Sequence, residues 1–192
     1  KAFIKKEKLY KIGFFEFESV KPRVIQAASH FAKAVSGVWF LNYSMALKTK
    51  WQPTYHLWYC SGYTTAVFND WISFHIMRLG GIEALVFLFS DYSTYDVTQG
   101  KACKECERSH FRDVGIEQLE YADLVLTSKK HKVGYGHGVK YGTTDTQASG
   151  DNDTSSSNSR STCLSLNGFL VLIGLLSTEY ALAFLGDDNF LM

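Results

Sequence analysis

Apolar residues recur every three to four positions across 63–79 (YTTAVFNDWISFHIMRL), and Gly80-Gly81 follows directly. That spacing draws one apolar stripe along a helix, and the glycine pair ends it. Residues 28–49 carry a similar pattern, with a break expected near Ser36-Gly37. Residues 1–27 instead alternate charge with β-forming side chains (LYKIGFFEFESVKPRVIQ), which predicts extended structure with basic side chains on one face. The unbroken run EALVFLFSD (83–91) predicts a buried strand ending at an acid. Beyond it the pattern predicts a helix over 102–126, broken at Gly115, then turns and short strands over 130–146.

The polar stretch 147–161 has the Ser/Asn content of a flexible linker. A linker does not normally open onto a long apolar helix through good N-cap residues, so a packed loop leading into a helix is expected. The run GFLVLIGLLSTEYALAFLG (168–186) is interrupted by Ser177, Thr178 and Glu179. It therefore falls short of the roughly 20 residues of a membrane span and predicts a buried helix, then a strand. No membrane segment is expected in this chain. Strand, helix and strand, with acids at the strand ends, predict an α+β (mixed α/β) fold with a sheet backed by helices.

Composition is globular, and 192 residues suffice for one domain or a little more. Charge changes the picture more. Residues 1–50 carry ten Lys/Arg against three Glu, and residues 51–192 carry ten against sixteen acids. A basic front end suits phosphates, and an acidic back end suits metal. Cys60, Cys103, Cys106 and Cys163 are too scattered for a disulfide scaffold, which fits a reducing, intracellular setting. The chain opens on Lys1 and closes on Met192 within an apolar stretch, so both ends are expected to lie inside a longer protein.

Two acidic sites follow apolar strands: Asp91 after LVFLFS, and Asp187-Asp188 after ALAFLG. Adjacent carboxylates repel, so either this is an ordinary exposed turn or something cationic sits there. If the strands are neighbours, their oxygens converge in the way Mg²⁺ requires. Two such ions roughly 3.5–4 Å apart serve an in-line displacement at phosphorus.

Four motifs appear in order: KKEK (5–8) with KPRVIQ (21–26), DYSTYD (91–96), SGDNDTSSSN (149–158) and GDD (186–188). Together they resemble the RNA-dependent RNA polymerases of positive-strand RNA viruses, with wording nearest the tombusvirus- and nodavirus-like lineages. The resemblance spans nearly the whole chain. It implies a right-hand polymerase palm with an antiparallel sheet, plus part of the fingers and no thumb. Residues 1–80 are then partial fingers, 81–126 and 147–192 palm, and 127–146 a crossover into the fingers.

It further implies that Asp91, Asp187 and Asp188 bind two Mg²⁺ ions, with Mn²⁺ able to substitute. Asp96 and Asn158 hydrogen-bond each other and read the ribose 2′-hydroxyl, with Thr154 in support. Ser149 and Gly150 form a loop that follows the template and nascent RNA. Arg23, Lys21 and one of Lys5, Lys6 and Lys8, here assigned as Lys6, contact the NTP triphosphate, for which guanidinium geometry is suited. The implied setting is a replication complex in the host cytoplasm, with other replication proteins as partners. Asn189 departs from relatives that carry an apolar residue or Cys after GDD. The chain also stops before the family's lysine-bearing palm motif, so this segment alone is expected to be inactive.

Two other readings fit parts of the sequence. A reverse transcriptase or other palm polymerase would share the acids but place a bulky apolar side chain at Asp96. A non-catalytic RNA- or zinc-binding replication module would use Cys103, Cys106 and His110, spaced along one helical face. Packed or semi-exposed thiols are the expected state of those cysteines. The segment GYGHGVKYG lacks the ending of a phosphate loop and reads as turns.

Overall fold

A computed structural model describes residues 2–4, 24–26, 29–90, 92, 95–113, 131–136, 138–148 and 150–192. Strands β1 (Ala2–Ile4) and β2 (Val24–Gln26) pair antiparallel, and α1 (His30–Lys50), β3 (Leu57–Tyr59) and α2 (Thr65–Arg78) follow. Next come β4 (Leu88–Ser90), the short helix α3 (Tyr95–Thr98) and α4 (Lys101–Asp113). The hairpin β5 (His131–Gly136) and β6 (Val139–Thr144) precedes α5 (Thr154–Leu172), β7 (Leu182–Leu185) and β8 (Asp188–Leu191). The fold is α+β, as the patterning predicts.

The central sheet has the order β3-β7-β8-β4. It is mixed rather than antiparallel: β3 and β7 run parallel, whereas β7–β8 and β4–β8 are antiparallel. Alternation along the strands divides the core between the two faces. Tyr59, Leu182 and Phe184 point to one side and pack with Phe40, Tyr43 and Leu47 of α1, Phe111 of α4 and Cys163 of α5. Trp58, Ala181, Ala183 and Phe190 point to the other and pack with Trp71 of α2. Each fully buried large side chain contributes on the order of 1.5–3 kcal/mol.

Helix α2 follows the sequence expectation closely. The Thr64 hydroxyl accepts from the Val67 amide at its start. Gly80 and Gly81 end it with φ of 100° and 98°, a region that side-chain-bearing residues rarely adopt.

Three further expectations are corrected. Helix α1 is continuous through Ser36-Gly37. Those small residues admit Asn152, whose Nδ2 donates to the Lys33 carbonyl at 3.0 Å and to Ser36 Oγ at 3.2 Å. The strand expected over 83–91 is shorter and more exposed. Residues 82–84 form a 3₁₀ turn, and β4 is an edge strand in which Phe89 remains 75% exposed. The apolar end of α5 is likewise not buried: Leu170 is, but Phe169, Val171 and Leu172 face outward. No helix among the described residues is long and apolar enough to cross a membrane.

Candidate active site

The buried strand β7 runs Leu182–Phe184 through the core and emerges at Leu185. Gly186 and Asp187 form the two-residue turn, and Leu185 pairs with Asp188 across it. Gly186 has φ of 68°, which suits a glycine as first residue of a tight hairpin. The two carboxylates therefore sit at the exit of a rigid hairpin, with Asp187 partly exposed and Asp188 exposed.

Strand β4 brings its end to this turn, with Ser90 opposite Asn189. The Asn189 side chain fastens the two: its Oδ1 accepts from Ser90 Oγ at 2.8 Å, and its Nδ2 donates to the Ser90 carbonyl at 3.1 Å. The same amide lies 3.4 Å from the Asp187 carbonyl. Asp91 follows Ser90 in the chain but lies outside the described residues, as do Lys6, Lys21, Arg23 and Ser149.

Asp96 and Asn158 are brought together. Asp96 stands in the first turn of α3 and Asn158 is buried on α5, where its Nδ2 donates to Asp96 Oδ1 at 2.7 Å. A carboxylate only accepts, which fixes the orientation of the amide. Asn158 Oδ1 is consequently a buried acceptor with no hydrogen-bond partner among the described residues.

Thr154 acts on the preceding loop. Its Oγ1 lies 2.6 Å from the Ala148 carbonyl and 3.1 Å from that of Asp151, and Gly150 sits half-buried between them. The loop is tied to Asp96 by the Gln147 amide, which donates to the Asp96 carbonyl at 3.1 Å. Gln147 Nε2 also donates to buried Asp153 at 3.2 Å, and Ser157 Oγ donates to the other oxygen of Asp153 at 2.9 Å. Buried Glu107 pairs with Lys104 at 3.1 Å and contacts Ser157. Burying these charges is tolerated because each has partners. The polar stretch read as linker-like in composition is thus packed.

Sequence reasoning missed Ser159 and Thr162. Ser159 Oγ donates to the Ser155 carbonyl at 2.7 Å and accepts from the Gly186 amide at 2.6 Å. Thr162 Oγ1 lies 2.9 Å from the Gly186 carbonyl and 3.1 Å from the Tyr95 hydroxyl. The available signal was a run of small hydroxyl residues leading into an apolar helix.

The turn is electrostatically coupled to Cys60, whose Sγ donates to the Phe184 carbonyl at 3.4 Å. Burial pushes this thiol up, and the nearby Asp188 charge adds to the rise. Cys103 is half-buried and Cys106 exposed, while His110 meets the Tyr43 ring edge-on at 6.0 Å. Among the described residues no three His, Cys, Asp or Glu side chains gather to hold a metal, a set that does not include Asp91. No protein-family model matches the chain, and no curated protein matches it.

Proposed function

We propose that this chain is the palm and part of the fingers of an RNA-directed RNA polymerase, which adds ribonucleotides from NTPs to an RNA 3′-end on an RNA template. The observation that carries the reading is the Asn158–Asp96 hydrogen bond, made by the same helix α5 that holds Gly186 of the GDD hairpin through Thr162. Asn158 Oδ1 is buried and without a partner among the described residues, so a ribose hydroxyl would reach its lone pairs only after the Asn158 side chain shifts. A sugar lacking that hydroxyl leaves buried polar groups unmatched, which is how a site rejects it.

The accessible carboxylates on the turn are hard oxygen donors of the kind Mg²⁺ and Mn²⁺ take. Asp187 and Asp188, with Asp91, would hold the ions. Such ions would supply the positive charge that eases loss of the 3′-hydroxyl proton and offsets charge on the phosphates. The hydroxyl attacks the α-phosphate and pyrophosphate leaves. Lys6, Lys21 and Arg23 would orient the triphosphate, and Asn189 keeps the end of β4 in register with the turn. The test is RNA-templated primer extension by the full-length protein and its Asp187→Ala variant. The variant should bind RNA normally and add no nucleotide; normal extension by it would refute the assignment.

A further inference from the structure

We infer that Ser159 and Thr162 are positioning residues that clamp Gly186 and thereby set the acidic turn against the Asp96–Asn158 pair. The inference rests on the polymerase reading for the role of that turn, and on geometry for the clamp itself. In helical projection Thr162 falls between Asn158 and Ser159, so one face of α5 carries all three. Gly186 is a turn residue, so its amide and carbonyl lie outside the β7–β8 ladder, whose last pair is Leu185–Asp188. Side chains of α5 satisfy both groups.

The hydroxyl protons can be assigned. Ser159 gives its proton to the Ser155 carbonyl, which leaves a lone pair for the Gly186 amide. A carbonyl only accepts, so the single Thr162 proton goes to the Gly186 oxygen. The Tyr95 hydroxyl lies 3.1 Å from the same Oγ1, placed as a second acceptor of that hydroxyl. Tyr95 precedes Asp96 on α3. One threonine hydroxyl therefore joins the segment bearing Asp96 to the backbone bearing Asp187 and Asp188, and Asn158 joins the same two helices one turn earlier. Gly186 is held from both sides without touching either carboxylate, which leaves the acids accessible on a fixed base.

The test uses the full chain with Ser159→Ala, Thr162→Val, Thr162→Ser and, as control, Asp187→Ala. Hydrogen exchange at the Gly186 amide and affinity for Mn²⁺ are read first. Ser159→Ala should speed exchange at Gly186, and both Ser159→Ala and Thr162→Val should weaken Mn²⁺ binding by about 10-fold, the usual scale for residues that orient metal ligands. Thr162→Ser should restore wild-type affinity, because it keeps the hydroxyl. In primer extension by the full-length protein, Thr162→Val should lower kcat more than it raises KM for NTP. If Thr162→Val fails to fold, Ser159→Ala decides the matter. Unchanged Mn²⁺ affinity in the clamp variants, when Asp187→Ala has lost it, overturns the positioning role whether or not exchange accelerates. Undiminished Mn²⁺ binding by Asp187→Ala overturns instead the metal assignment on which the inference rests.

Discussion

Asn158 Nδ2 donates to Asp96 Oδ1 at 2.7 Å, closing a contact between residues 62 positions apart. Hydrogen bonds to a charged group contribute about 1.5–3 kcal/mol. Asn158→Asp would place two carboxylates in contact where one amide proton now lies. We predict that Asn158→Asp lowers stability by at least ~2 kcal/mol at pH 7. Urea denaturation checks this, with Asn158→Ala expected to fall between the variant and wild type.

Asn189 makes a second prediction. Its amide holds Ser90 through both hydroxyl and carbonyl, so Asn189→Leu should free the end of β4 from the turn. The expected loss is about 0.5–1.5 kcal/mol, since two side-chain hydrogen bonds to an exposed strand end are lost. Hydrogen exchange should accelerate in 88–90 more than in 57–59, because β3 is held by β7 on the far side of the sheet. Uniform acceleration across the sheet would count against this local role.

A third prediction concerns acid. His75 is buried, accepts from Arg78 Nε at 2.8 Å through Nδ1, and meets the Tyr55 carbonyl at 3.2 Å through Nε2. Nδ1 therefore carries no proton and Nε2 donates. Burial, and then the Arg78 charge, lower the imidazole to about 4. Below its ordinary value near 6.5 the unfolded chain takes up a proton that the folded chain refuses. The contribution is complete above pH 6.5 and is lost as pH falls toward 4, by on the order of 1–3 kcal/mol. Urea midpoints at pH 7 and 4.5 should differ more for wild type than for His75→Gln; equal differences would contradict the account.

The β5–β6 hairpin gives a fourth. Gly134 pairs with Tyr141, and a Cβ on Gly134 would stand 2.3 Å from the Tyr141 ring. Gly134→Ala should therefore displace the ring and cost about 1–3 kcal/mol of local stability. Exchange of the 131–144 amides reads this directly, and Gly134→Ala together with Tyr141→Ala should relieve the steric conflict.

Elements defined by local pattern were legible in the sequence. Helix α2 shows its apolar stripe and its glycine stop, and the GDD string falls on the β7–β8 turn because Gly186 suits the backbone there. What local pattern does not encode was misread. Ser36-Gly37 resembles a helix break until Asn152, over a hundred residues away, is placed against it. The parallel pairing of β3 with β7 joins strands distant in the chain, and no spacing within either strand specifies it. The run EALVFLFSD is apolar enough for a core strand, yet β4 takes the sheet edge. Ser159 and Thr162 look like ordinary solvent-facing helix residues, and only the return of β7 beneath them gives their hydroxyls partners.

Sugar selection tests the central claim most directly. The full-length protein and its Asp96→Ala variant should be compared for incorporation of a ribonucleotide and its 2′-deoxy analogue on the same RNA template. Wild type should prefer the ribonucleotide strongly, and Asp96→Ala should erode that preference by about 10-fold or more, chiefly through slower ribonucleotide addition. A wild-type preference for the deoxynucleotide, or a preference unchanged by Asp96→Ala, would contradict the account.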